Sequence, residues 1–111
     1  MSNSGVHNPK VIDLVTHDPK SGEFAIIMIE TRPWDGTMER LEQLQAKTNS
    51  YLAYALDGLM AQHYPESRGH PVRLQLDCSQ EPEPETRTFL EELARVVAAE
   101  GLRLVVNVLP D

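Results

Sequence analysis

Three groups of side chains in this chain of 111 residues could do chemistry. Cys78 is the one thiol. A nucleophilic cysteine needs cationic neighbours or a helix N-terminus to lower its pKa. Asp77, Glu81 and Glu83 surround it instead, so Cys78 reads as an inert, inward-facing core thiol. His17, His63 and His70 could bind a metal, but they are scattered. His63 and His70 are separated by six residues across a Pro/Gly loop, which matches no common ligand spacing.

The third group is Glu30, Arg32, Trp34 and Asp35, within the stretch Glu30–Thr37 that contains the single Trp. Glu30, Asp35 and Asp77 would hold a hard cation if they converged; apart, they are a solvated acidic rim. Trp and Arg are enriched where binding energy concentrates, so Glu30, Arg32, Trp34 and Asp35 are the candidate recognition residues. The structural alternative makes Trp34 a plug over one end of the core and pairs Arg32 with Glu30 or Asp35. Serine-hydrolase, P-loop and dinucleotide signatures are absent. No catalytic set, cofactor or metal is expected.

The elements that position these residues follow from hydrophobic patterning. Val11–His17 is rich in β-branched residues and reads as a first strand. Asp13 marks the more solvated of its faces, shared with Val11, Val15 and His17. Turn formers from His17 to Glu23 lead to Phe24–Glu30, a strand apolar on both faces and therefore central or covered. Pro33 stops that strand, and Thr37 is the N-cap of a helix expected from Met38 to His63. No capping box follows, because Arg40 stands three residues past Thr37. Leu41, Leu44, Thr48, Leu52, Ala55 and Leu59 form the helix face that must cover a sheet. Ala46, Ala53, Asp57, Met60 and Tyr64 make a weaker stripe on the other side. Its plain reading is ordinary surface; its sharper reading is a dimer seam between helices.

Val72–Cys78 alternates strictly, with Val72, Leu74, Leu76 and Cys78 facing inward. Pro84 suits the first position of a second helix, which Gly101 ends. Leu102–Leu109 is the last strand, with Leu102, Leu104, Val106 and Val108 inward. The order β-β-α-β-α-β is that of an α/β chain, an α+β two-layer domain: a four-stranded mixed sheet with two helices on one face, because right-handed crossovers stepping one way keep both helices together. Strand order 1-2-3-4 is the simplest arrangement. Residues 1–9 read as a flexible N-terminal arm and residues 10–111 as a single domain.

Composition narrows the function classes. Seventeen acids against ten bases leave a net charge of -7. That disfavours nucleic acid and anionic membrane surfaces and suits a basic protein partner. Residues 77–100 alone carry seven acids and two bases, a balance of -5. A lone cysteine and a polar N-terminus without a signal-peptide core point to the cytoplasm.

Three stretches carry a family resemblance. They are Val11-Ile12-Asp13-Leu14 with His17-Asp18; Ile29-Glu30-Thr31-Arg32-Pro33-Trp34-Asp35-Gly36; and the run from Leu44 to Gly58. Over roughly residues 10 to 110 the chain resembles a family of short bacterial proteins known as a domain of unknown function. The resemblance implies a bacterial, cytoplasmic, single-domain protein. It brings no activity, cofactor or site residue with it.

The expectation is therefore a non-enzymatic binding protein, which associates with itself as a homodimer or takes a basic protein partner. The alternative is a small enzyme or ligand-binding domain. Its site would lie where parallel strands end, bringing Glu30–Asp35 to Asp77–Cys78.

Overall fold

The structure is a computed structural model that describes residues 4–110. Residues 1–3 of the expected arm, and Asp111, lie outside the described residues. The strands are β1 (Leu14–His17), β2 (Phe24–Glu30), β3 (Val72–Cys78) and β4 (Arg103–Val108). The helices are α1 (Met38–Leu56), α2 (Leu59–His63) and α3 (Pro84–Ala99), with a short 3-10 turn at Pro65–Ser67. The sheet order is β1-β2-β3-β4. β1 runs antiparallel to β2, whereas β2, β3 and β4 are mutually parallel. The expected four-stranded mixed sheet is present, and no helix among the described residues is long and apolar enough to cross a membrane.

The core lies on one sheet face. Phe24, Ile26 and Met28 of β2 and Leu74 and Leu76 of β3 pack against Leu44, Tyr51 and Leu52 of α1 and Leu90, Leu93 and Val97 of α3. Each fully buried aliphatic side chain contributes roughly 1.5–3 kcal/mol. On the open face Ala25 and Ile27 are also buried, which explains why β2 is apolar on both faces up to Ile29. Beside them Arg73, Gln75 and Asp77 form a polar ladder: Arg73 Nε donates to Gln75 Oε1 at 2.9 Å, and Gln75 Nε2 to Asp77 Oδ1 at 2.7 Å.

The expected helix to His63 is two helices. Asp57 caps α1, and Gly58 follows with φ +95°. The left-handed conformation suits glycine and turns the chain out of the α1 axis. Met60 is consequently rotated into the core, at 2 % exposure. Tyr64 is half-buried against that core, while Ala46, Ala53 and Asp57 stay exposed. The stripe expected as a dimer seam is thus broken at Gly58, and Met60 faces inward rather than toward a partner.

The N-terminal part differs most from expectation. Residues 4–9, read as a flexible arm, pack on the domain: Val6 is fully buried, and its N–H donates to the Ile29 carbonyl at 3.0 Å. β1 begins at Leu14 rather than Val11. Asp13 explains both points. Its Oδ2 accepts from Ile29 N at 3.0 Å, where a strand carbonyl would otherwise bond, and its Oδ1 accepts from Gly5 N at 3.0 Å. Its expected solvated face is also corrected. The Asp13 side chain is wholly buried, Val15 packs against the core, and Leu14 on the other side is 45 % exposed.

Candidate functional site

The C-terminal ends of β2 and β3 lie side by side, with Glu30 opposite Cys78. The chain leaving β2 must turn at Pro33 and restart at Thr37, so Arg32, Trp34 and Asp35 gather above this edge. Thr37 Oγ1 accepts from Arg40 N at 3.3 Å, as the expected N-cap. Asp35 Oδ1 in turn accepts from Thr37 N at 3.0 Å and Thr37 Oγ1 at 2.8 Å. These bonds, with the Thr37 backbone N–H foremost, hold the Asp35 carboxyl below its ordinary value.

Glu30 organises the charges. It is buried, and its Oε1 accepts from Arg32 Nε at 2.7 Å and lies 3.1 Å from Arg40 Nη1. Arg32 also donates to Gln43 Oε1 at 2.9 Å. Arg40 donates to the Pro33 carbonyl at 2.7 Å, approaches Asp35 Oδ2 at 3.7 Å, and lies 6.0 Å from the Trp34 ring centroid. Arg40 is thus the hub that joins Glu30, Trp34 and Asp35. Sequence reasoning placed it only as the residue that spoiled a capping box. Its position one helical turn after the cap, beside a buried acid, was the available signal.

The acidic loop after Cys78 meets this group. Ser79 N donates to the Glu30 carbonyl at 3.0 Å, and Trp34 Nε1 donates to the Gln80 carbonyl at 2.9 Å. Gly36 has φ +67°, a conformation that calls for glycine, and a Cβ there would stand 3.1 Å from Glu83 Oε2, so the two loops approach closely at this point. Glu83 itself caps α3, accepting from Thr86 N at 3.2 Å and from the Thr86 hydroxyl.

Cys78 sits beneath, buried and free. Burial pushes its thiol up, ahead of an opposing contribution from the Trp34 N–H, and Asp77, Glu30 and Glu81 add to the rise. Asp77 does not join the group. It lies on the open sheet face, where Asn107 Nδ2 reaches its Oδ1 at 3.3 Å. The structure therefore brings together Glu30, Arg32, Trp34 and Asp35, and separates Asp77 from them.

The histidines go elsewhere. The His17 ring stacks on Phe24 at 4.2 Å, with His70 edge-on at 6.0 Å. His63 Nδ1 is 3.0 Å from the Tyr54 hydroxyl. That pair lines an open groove of about 810 Å³ with Lys10, Leu14 and Tyr64, a concavity that needs the α2 turn and so was not visible in a continuous helix. Burial raises the Tyr54 phenol above its ordinary pKa. Among the described residues no three or more His, Cys, Asp or Glu side chains are placed to hold a metal ion.

The fold and this ion-paired edge define a small two-layer α+β domain. A model of the family of unknown function DUF6572 matches residues 4–110, and the chain belongs to that family. No curated protein and no solved structure matches it.

Proposed function

We propose that this chain is a non-enzymatic interaction protein whose partner is a second copy of itself or a basic protein. One observation carries the reading. Val106, Val108 and Leu109 leave an apolar margin along β4 at 39 %, 42 % and 40 % exposure, and the chain places no charge within that stretch. Exposed apolar side chains along an unpaired strand edge offer a place for association. The basic-partner form draws on the carboxylates of the neighbouring edge, such as Glu81 at 75 % side-chain exposure.

The enzyme or ligand-binding alternative keeps one point in its favour, the meeting of the Trp34 and Gln80 loops. Against it, Arg32 and Arg40 both pair with Glu30, so that buried carboxylate is taken up by contacts within the chain rather than presented to a ligand. The test is in-cell photo-crosslinking with a benzophenone amino acid replacing Leu109. A discrete adduct heavier than the 12.5 kDa chain is expected. Recovery of the uncrosslinked chain alone would overturn the proposal.

A further inference from the structure

The β4 edge is built to pair with itself, and we propose that it joins antiparallel to β4 of a second copy, making one continuous sheet from two. This rests on the interaction reading above and names its partner. Leu109 N donates to the Cys78 carbonyl at 2.9 Å, so the main-chain groups of Leu109 point toward β3. Successive residues of a strand alternate sides. Arg103, Val105 and Asn107 therefore bond to β3, and the N–H and C=O groups of Leu104, Val106 and Val108 face the open edge.

Edge strands usually carry a guard, such as a lysine, an inward charge, a bulge or a very short length. β1, at the other edge, has only four residues. β4 has six, and from Leu104 to Leu109 no residue is charged. Val106 and Val108 lie on the helix-covered side yet remain 39 % and 42 % exposed, because α3 leaves an open groove of about 340 Å³ between Leu90, Ala94 and β4. A strand added at the edge would close that groove.

One register satisfies both the backbone and the charges. A two-fold axis at Val106 sets Val106 against Val106 of the second copy and Leu104 against its Val108, so every outward N–H and C=O of these residues is paired. Leu102 N bonds to the Val97 carbonyl, which levels β4 with α3 at that point. Four residues further along β4, ~13 Å, correspond to about nine residues back along α3, near Thr88. The axis then passes between Arg87 and Glu91, which flank the groove. Each Arg87 faces the Glu91 of the other copy.

Light scattering on the purified chain at ~100 µM, well above a micromolar dissociation constant, is expected to give twice the chain mass. Val106→Lys puts two ammonium groups at the axis and should weaken association by at least ~100-fold, with the circular dichroism unchanged. Arg87→Glu should weaken it by ~10-fold, and Arg87→Glu with Glu91→Arg should restore it. In this register Val105 and Asn107 form a non-hydrogen-bonded pair with Cα atoms ~4.5 Å apart, within disulfide reach. The double variant Val105→Cys, Asn107→Cys is therefore expected to give a covalent dimer on oxidation. A monomeric mass at that concentration overturns the inference, and so does a dimer that survives Val106→Lys and forms no disulfide. A monomer with a heterologous adduct at position 109 overturns the self-pairing and leaves the interaction reading standing; a monomer with no adduct overturns both.

Discussion

Lys47 Nζ lies 2.8 Å from Asp13 Oδ1, and neither side chain is exposed to solvent. The ammonium group also donates to the carbonyls of Asn8 and Val11, each at 2.6 Å, so all three of its donors are used. Tyr51 completes the arrangement. Its hydroxyl donates to the Ile27 carbonyl at 2.6 Å and accepts from Asp13 N at 2.8 Å. The buried ion pair and Tyr51 together fasten the N-terminal segment, the start of β1, the middle of β2 and α1 to one another.

Removing one partner of this pair should be costly, because the other charge stays buried. Lys47→Met is expected to destabilise the fold by about 3–5 kcal/mol, read as a lowered urea midpoint. Adding Asp13→Asn removes the stranded charge, so the double variant should lose less than the sum of the two single losses. Additive losses would show that the two side chains act independently.

Acid should weaken the fold through Glu23. The Arg103 guanidinium first, and Arg73 with it, hold this carboxyl below its ordinary 4.5. A depressed folded-state pKa means the unfolded chain binds the proton more readily. The contribution is then complete above about 4.5 and is lost as the pH falls toward the folded-state value. Asp18, Asp35 and Glu83 shift in the same direction. The thermal midpoint should hold down to the ordinary carboxylate range and then drop. Glu23→Gln should flatten that acid limb; a limb of unchanged slope would remove Glu23 from the account.

How far these features were legible in the sequence depends on the distance between partners. β2 and β3 were read to the residue, because alternation and apolar runs are local signals. So was the start of α1, since Thr37 caps an N–H three residues away. Asp13 is not legible locally because its partner is 34 residues distant. In a strand pattern a lone acid resembles a solvent-facing position, and nothing nearby reveals that Lys47 is buried on the same side. Gly58 carried a stop signal that the apolar periodicity on both sides of it masked. Among the recognition candidates, the grouping of Glu30, Arg32, Trp34 and Asp35 was legible from their adjacency. Arg40 as their hub, and the separation of Asp77, required knowing which face each strand residue takes.

Cys78 should react slowly. It is fully buried, and burial raises its pKa above the ordinary 9.0. Both effects reduce the thiolate available to a disulfide reagent. Labelling of the native chain at pH 8 should track unfolding, becoming fast in urea. The raised pKa also sets a sign in alkali. The thiol's contribution to stability is present below about 9.0 and is lost as the pH rises through the folded-state value. Immediate stoichiometric labelling without denaturant would mean that the thiol is accessible.

Trp34 tests whether the loop edge is a plug or a contact surface. Its ring packs against the core while remaining half-exposed, and its N–H holds the Gln80 carbonyl. Trp34→Ala removes part of a core contact and the bond between the two loops. A loss of about 2–3 kcal/mol in urea unfolding is expected, below the full cost of a buried Trp because the ring is not enclosed. Trp34→Phe keeps the apolar contact and drops the hydrogen bond, so it should cost about 1 kcal/mol. If both variants leave stability unchanged, Trp34 is not a plug. Its rigid ring beside Arg40 is then there to be read by a partner, and loss of the photo-crosslinked adduct in Trp34→Ala would say so.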